Sequence, residues 1–288
     1  MDSRKFKVSR LLLYFTLVSF FLFISANIGQ YLIKVHGMDR QIGLFLQGVI
    51  FTGLTLFVLF IIKRRDPDVF KKIGLKGVSS SSRLIVGIAL SIILVLSGIL
   101  TAYLFGGIKN VSLNLTAGVL MAVLINTVTA FMYEAFPEEV FIRGLIFEEL
   151  SKKFRFSISL IIQPLIFICV PITVMAMESL FFSKPFSINI GYIILLFVFG
   201  IALQLYRKYT GTIWMNIMFH VIYLEVTRYI SLGGIYEPDV ALLVFDETFG
   251  GFMYLYLSFL FILLFSILVL SILLLMDKRK SKLQSLNN

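Results

Sequence analysis

The sequence predicts an all-α membrane protein with about eight transmembrane helices and both termini in the cytoplasm. Three observations support this fold class. Of the 288 residues, 59% are hydrophobic and only 15% are charged, with a mean hydropathy of +0.96. Apolar runs long enough to cross a bilayer follow one another along the chain, and basic residues are concentrated in every second connecting segment. Water-soluble domains have a much more polar composition, so that class is excluded.

Runs of about 20 apolar residues predict the individual helices. They fall near residues 11–33, 41–62, 84–105, 117–150, 157–182, 190–206, 212–232 and 252–276. The fourth run is longer than a single crossing needs. Pro137 lies near its middle and is predicted to kink or interrupt it, because proline has no backbone donor. Interrupted helices in membranes are usually functional.

The connecting segments predict the orientation. Segments on one side carry 20 Lys or Arg residues, and those on the other side carry four, Lys34, Arg40, Lys109 and Lys184. Cytoplasmic loops are enriched in Lys and Arg, so this bias places both termini inside. It also accounts for the net charge of +10 without nucleic acid, which is not expected as a partner. The lipid bilayer is the expected surrounding, and richness in Phe, Ile and Lys favours a bacterial cell membrane.

These segments divide the chain into five parts. Residues 1–62 hold two transmembrane helices, and residues 63–83 form a basic cytoplasmic loop. Residues 84–232 form the core, residues 233–251 an acidic outer loop, and residues 252–288 the last helix with a basic cytoplasmic tail.

Four ionisable residues lie deep in the fourth helix, where each charge costs several kcal/mol unless it has a partner or a function. Glu139 and Arg143 are four residues apart and are predicted to form an ion pair. Glu138 lies about 100° around the helix and has no obvious local partner. In apolar surroundings, with Glu134 one turn away, it suits a general base. The alternative is a structural network in which all four groups satisfy one another.

The seventh helix adds His220 at about the depth of Arg143, if each residue rises about 1.5 Å. A single buried histidine is more often structural than catalytic. It gains interest here because the only other histidine, His36, lies in a connecting segment. Further along, Glu225 and Arg228 are three apart and are predicted to pair.

These residues carry a resemblance to a known family. The sequence EEVFIRG at 138–144 resembles the EExxxRG motif of the CAAX-prenyl-protease and bacteriocin-processing (CPBP) membrane proteins. The segment 211–214 followed by His220 is similar to that family's third motif. The loop 63–76, ending in Ile-Gly-Leu, is similar to its usual entry into the core. The resemblance covers about residues 60 to 230 and implies a CPBP-like core bundle.

The resemblance also implies roles for the site residues. In active members, the first glutamate of the motif and a histidine from an FxxxH motif activate a water, while the histidine and asparagine of HxxxN stabilise the oxyanion. Glu138 would then be the base, Glu139 and Arg143 its support, and His220 an oxyanion donor.

Two members of that catalytic set are missing. Pro171 occupies the position of the FxxxH histidine, counted from Phe167, and Leu224 occupies that of the asparagine. Neither side chain has a polar group. Glu178 and Asn216 are the nearest candidates for compensation.

The sequence therefore leaves catalytic competence open. The favoured interpretation is a family member with impaired catalysis that binds membrane proteins or peptides as a regulator, scaffold or bacteriocin-immunity factor. The alternative is an active intramembrane endopeptidase using Glu138 and His220. A proton- or ion-coupled transporter is less favoured. No cofactor is indicated with certainty. Zn²⁺ has weak support, because no HExxH pattern exists and the retained ligand types are too few.

Overall fold

The computed structural model describes residues 5–77, 81–230, 241–248 and 253–286. In these residues, seven helices are long and apolar enough to cross a membrane. Large apolar side chains such as Leu104 and Leu180 point outward and are more than 70% exposed, as expected for a lipid-facing surface. The predicted fold class, an all-α multipass membrane protein, is confirmed.

The helices follow the predicted runs closely. They are α1 (Val8–His36), α2 (Arg40–Arg65), α3 (Val69–Lys72), α4 (Ser81–Leu104), α5 (Ala117–Ser151), α6 (Phe156–Phe182), α7 (Ile190–Thr210), α8 (Trp214–Glu225) and α9 (Met253–Leu286). A π-helical segment, Val226–Ile230, continues α8. Together they have 17 described residues, fewer than the 21 of the shortest of the seven spanning helices.

Short connections join α1 to α2, α5 to α6, and α6 to α7, so the helices of each of these pairs run in opposite directions. Neighbouring pairs include α1 with α2, α6 with α7, and α9 with both α4 and α7. The bundle therefore has two ends. One end carries the start of α1, the end of α9, α3, and the connections 152–155 and 211–213, and it is called the terminal end. The opposite end is called the sheet end.

A small antiparallel sheet lies at the sheet end and was not predicted. Strand β1 (Ile108–Leu113) pairs with β2 (Leu243–Glu247), and the pairing register shifts between Lys109 and Ser112. Strand β2 falls within the predicted acidic outer loop 233–251. Residues 233–240 and 249–251 of that loop lie outside the described residues.

Close approach between helices depends on small residues. A Cβ atom on Gly200 of α7 would lie 2.8 Å from Cβ of Pro164 in α6, and one on Gly48 of α2 would lie 2.9 Å from Cβ of Met132 in α5. Lipid tails are as apolar as the helices, so packing of this kind replaces the hydrophobic effect in holding membrane helices together. The contact at Gly48 brings α2 against the part of α5 that carries the ionisable residues.

Candidate functional site

The ionisable residues lie where α5 changes its hydrogen-bond register. Two π-helical segments, Phe131–Ala135 and Glu139–Ile146, flank a short α-helical piece, Phe136–Glu138. The helical conformation is therefore continuous through Pro137, and the predicted interruption takes the form of a register change. Short π segments inside α-helices are frequent at functional sites.

A side chain from α2 compensates for Pro137. The Phe136 N–H bonds to the Phe131 carbonyl, five residues back, and in the same register residue 137 would bond to the Met132 carbonyl, but proline has no N–H. Thr52 donates its hydroxyl to this carbonyl at 2.5 Å. Freed backbone groups inside membranes need such partners, which explains a polar residue at this position of an apolar helix.

Glu139 is the centre of a buried polar cluster. Its Oε1 accepts a hydrogen bond from Arg143 Nη1 at 3.1 Å and lies 3.0 Å from His220 Nδ1. Its Oε2 accepts from Asn216 Nδ2 at 3.4 Å. Glu139, Arg143 and Asn216 are fully buried, and His220 is 3% exposed. These four residues are called the Glu139 cluster. The ion pair predicted from the spacing of Glu139 and Arg143 is confirmed.

Aromatic rings pack against two members of the cluster, Arg143 and His220. The guanidinium carbon of Arg143 lies 4.2 Å from the centre of the Phe167 ring and 5.9 Å from that of Phe199. The Phe199 ring also meets His220 edge to face, at 4.8 Å between centroids. Ring faces attract cations, and in desolvated surroundings the attraction is worth about 2 kcal/mol. The rings thus stabilise a charge that water cannot reach.

Glu138 is placed differently, although it is the neighbour of Glu139 in sequence. Its side chain is half-buried. Within the described part of the chain, its carboxylate forms no hydrogen bond or ion pair, although the charges of Glu134, Arg143 and Glu139 act on it. Glu138 is therefore outside the Glu139 cluster and is the carboxylate that stays available for another group.

The positions of the two missing catalytic residues can be located from their neighbours. Phe167, the first residue of the predicted FxxxH position, packs on Arg143, so this part of α6 does lie against the motif. Pro171 follows one turn later and is half-buried. Leu224 in α8 is 8% exposed. An apolar side chain thus stands at each position where the resemblance implies a polar group.

Neither proposed substitute stands free near Glu138. Asn216 donates its hydrogen bond to Glu139. Glu178 pairs with Lys184 at 2.7 Å, near the sheet end. With Nδ1 of His220 committed to Glu139, only its Nε2 remains for another partner. The role of Asn216 as a partner of Glu139 was missed, although its position one turn before His220 gave the signal.

A polar cavity lies on the side of this cluster that faces the sheet end. Its volume is about 410 Å³, and its lining includes Gln30, Gln47, Asn126, Tyr133, Glu134 and Arg228. We call it the sheet-end cavity. Arg228 donates to both carboxylate oxygens of Glu134, at 2.6 and 2.8 Å, whereas the sequence spacing had paired it with Glu225. Glu225 accepts a hydrogen bond from Asn126.

Two further motif segments meet at the terminal end. Thr212 donates its hydroxyl to the Gly74 carbonyl at 2.9 Å, and the Trp214 indole donates to the Leu75 carbonyl at 3.0 Å. Gly74 has a φ of +80°, and a Cβ atom there would lie 3.2 Å from the Ile213 nitrogen. Glycine suits this conformation and this close approach. The two segments singled out in the sequence therefore form one structural unit.

Metal binding finds no support in the geometry. Among the residues that the structure describes, no three His, Cys, Asp or Glu side chains are grouped so that they could hold a metal ion. Glu139 and His220 are close, but Arg143 and Asn216 occupy the remaining sides of that carboxylate.

Comparisons with known proteins agree with the motif positions. No curated protein and no solved structure matches the chain. A family model described as type II CAAX prenyl endopeptidase Rce1-like matches residues 120–224, which include the motif of α5, the Phe167 region of α6, and α8 up to Leu224. Over these residues the chain is similar to the Rce1-like proteins of the CPBP family, and the resemblance predicted from the motifs is confirmed.

Proposed function

We propose that this protein is a protease-like membrane protein with impaired catalysis that acts by binding other membrane proteins or peptides. One observation carries the proposal. Pro171 and Leu224 stand where an active member of the family is expected to carry a histidine and an asparagine. A regulator, a scaffold and a bacteriocin-immunity factor are the roles that fit such a protein.

The expected loss of rate is large. Removal of one oxyanion donor costs about 10² to 10³ in rate, and general acid–base catalysis contributes about 10² to 10⁴. The Glu139 cluster supports the same conclusion, because Asn216 and one nitrogen of His220 are used to satisfy Glu139. What is retained is the part of the site that holds the helices together.

The sheet-end cavity supports a binding role. It is concave, and amide groups, a phenol and two ion pairs face it, including Glu134 with Arg228 and Glu178 with Lys184. Amide and phenol groups donate and accept hydrogen bonds, which suits the backbone of a peptide. Pockets with a few convergent polar groups are the usual location of ligand sites.

An active endopeptidase is the second candidate. The observation that favours it is Glu138, which is half-buried and without a hydrogen-bond partner in the described residues, so that its carboxylate can bind a water. A proton- or ion-coupled transporter is less favoured, because Arg143 and Arg228 already neutralise the carboxylates Glu139 and Glu134.

We further propose that the protein lies in a bacterial cell membrane, with its terminal end toward the cytoplasm. The excess of Lys and Arg in the segments at that end supports this orientation. The division into two N-terminal helices, a basic loop, a CPBP-like core, an acidic outer loop and a last helix with a basic tail belongs to the same proposal.

The test compares membrane and secreted peptides from cells that express the wild-type protein, Glu138→Gln or the matched control Glu178→Gln at equal levels. Cells that lack the protein provide the baseline. We expect the same peptide termini in all four samples. A terminus that is present with the wild-type protein and Glu178→Gln, but absent with Glu138→Gln and in the null cells, would establish a protease.

Partner binding needs its own measurement. A photo-cross-linking amino acid placed at Gln30, in the sheet-end cavity, is compared with one at Leu100, which faces outward on α4. We expect a discrete membrane protein or peptide adduct at position 30 only. Equal labelling at both positions would contradict a partner in the cavity. Flux in proteoliposomes that depends on Glu138 would favour the transporter.

A further inference from the structure

A second cavity opens at the terminal end, away from the Glu139 cluster. It has a volume of about 420 Å³ and lies where α5, α6 and α7 end or begin. Its wall combines three aromatic rings with two cations and an amide: Phe147, Phe154, Phe156, Arg207, Lys208 and Gln204. We call it the terminal cavity. The ends of membrane-spanning helices lie in the headgroup layer, so the cavity is expected there.

The two cations in this wall are not neutralised by ion pairs. The guanidinium carbon of Arg207 lies 5.1 Å from the centre of the Phe147 ring, and Lys208 Nζ lies 5.1 Å from that of Phe156. In the described parts of the chain, neither side chain forms an ion pair. The charge of Glu148 acts most strongly on Arg207 and less on Lys152 and Lys72, and Glu139, which is paired with Arg143, also acts on Arg207. One carboxylate does not balance two cations. The local charge is therefore positive.

Two polar atoms of the wall are buried without a partner in the described residues. They are Nη1 of Arg207 and Oε1 of Gln204, a residue that is only 1% exposed. The other terminal nitrogen of Arg207 donates to the Lys72 carbonyl at 3.2 Å. The oxygen and nitrogen of an amide are assigned from their hydrogen bonds, so Gln204 can equally present its NH₂ group. Unsatisfied buried groups are costly, and a polar ligand would satisfy both.

We propose that the terminal cavity binds the phosphate headgroup of an anionic phospholipid. Guanidinium and ammonium groups form strong charge-assisted hydrogen bonds with phosphate. Helix α6, with 27 residues, begins at Phe156 in the wall and adds the partial positive charge of its N-terminus. The three rings provide an apolar surface for the glycerol and first acyl carbons. Basic pockets between transmembrane helices are known sites for anionic headgroups.

The experiment uses the full-length protein in detergent. Lipid adducts are counted by native mass spectrometry during titration with phosphatidylglycerol or phosphatidylcholine, and a third titration uses inorganic phosphate. The first variant is Arg207→Gln/Lys208→Gln, which removes both positive charges. The second is Lys208→Glu alone, which reverses the charge of an exposed side chain and keeps the hydrogen bond from Arg207 to the Lys72 carbonyl. The matched control is Arg279→Gln/Lys280→Gln, which removes two exposed charges from the same end outside the cavity.

We expect the wild-type protein to bind phosphatidylglycerol in preference to phosphatidylcholine. The double variant should bind it about tenfold more weakly, the loss expected for one or two charge-assisted bonds, and Lys208→Glu several-fold more weakly. The control should match the wild type. Equal binding of both lipids, or an equal loss in the control, would overturn the proposal. Full displacement of the lipid by inorganic phosphate would show a site for free anions instead. None of these outcomes depends on peptidase activity.

Discussion

The Glu139 cluster and the sheet-end cavity both contain acidic groups from one stretch of α5, but these groups differ in their exposure. Glu139 and Arg143 are fully buried and share their charges with His220 and Asn216. Glu134 and Arg228 are 17% and 30% exposed and face a cavity of about 410 Å³. Glu134 and Glu139 are five residues apart on α5. They therefore belong to two kinds of ionic network: a closed one, enclosed by protein, and an open one, which faces a cavity.

This difference predicts that the two regions respond to substitution in different ways. A closed network stabilises the bundle only while every member is present, because an unpaired charge in the membrane interior is costly. An open network can exchange its partners for those of a ligand. We therefore expect substitutions in the Glu139 cluster to affect folding, and substitutions around the cavity to affect binding.

The largest effect is expected for Glu139→Gln. The substitution leaves the Arg143 charge buried without a carboxylate, and removal of one partner of a buried pair costs about 3 to 5 kcal/mol. The free energy of unfolding in detergent micelles, followed by denaturant titration, measures the loss. The control is Glu138→Gln, where no ion pair is broken in the described structure and less than about 1 kcal/mol should be lost. Equal losses at the two positions would show that the cluster is not a closed network.

A smaller effect is expected for Phe167→Leu. Its ring lies 4.2 Å from the Arg143 guanidinium carbon, so the substitution removes a desolvated cation–π contact worth about 2 kcal/mol. Phe51→Leu is the matched control, because Phe51 is equally enclosed but packs against the Tyr133 ring. The loss at Phe167 should exceed the loss at Phe51 in the same unfolding assay. If the two losses are the same, Arg143 gains nothing from the ring.

Hydrophobic runs and residue spacing predict much of this architecture. Most of the spanning helices begin and end within a few residues of the predicted runs, because span length is set by bilayer thickness, whereas α9 continues to Leu286, ten residues past its predicted end. The pair of Glu139 and Arg143 is likewise predicted, since it depends only on residues four apart on one helix. Features that depend on distance within a single helix are therefore accessible from sequence.

Contacts between helices were predicted poorly. The spacing of Glu225 and Arg228 suggested a local pair, but Arg228 reaches Glu134 on α5, 94 residues away. The sheet of β1 and β2 was missed because its strands lie 135 residues apart, counted between Ile108 and Leu243, and neither strand is long. The commitment of Asn216 to Glu139 also needs the packing of α8 against α5. Helix packing is set by shape and small residues, which a single sequence does not reveal.

The smallest effect is expected for the pair of Glu134 and Arg228, and it separates the two regions most sharply. A double-mutant cycle with Glu134→Gln and Arg228→Gln should give a coupling energy of about 1 kcal/mol, because both side chains are partly exposed to the cavity. Water and ions that enter the cavity should weaken this coupling at about 1 M salt, where the screening length is about 3 Å. The coupling of Glu139 with Arg143, measured in the same way, should not change, since neither side chain is exposed. If salt leaves both couplings unchanged, the sheet-end cavity is closed to ions and cannot admit a polar partner without opening. If salt weakens only the outer coupling, the cavity is accessible, and the binding role proposed for it has the access it requires.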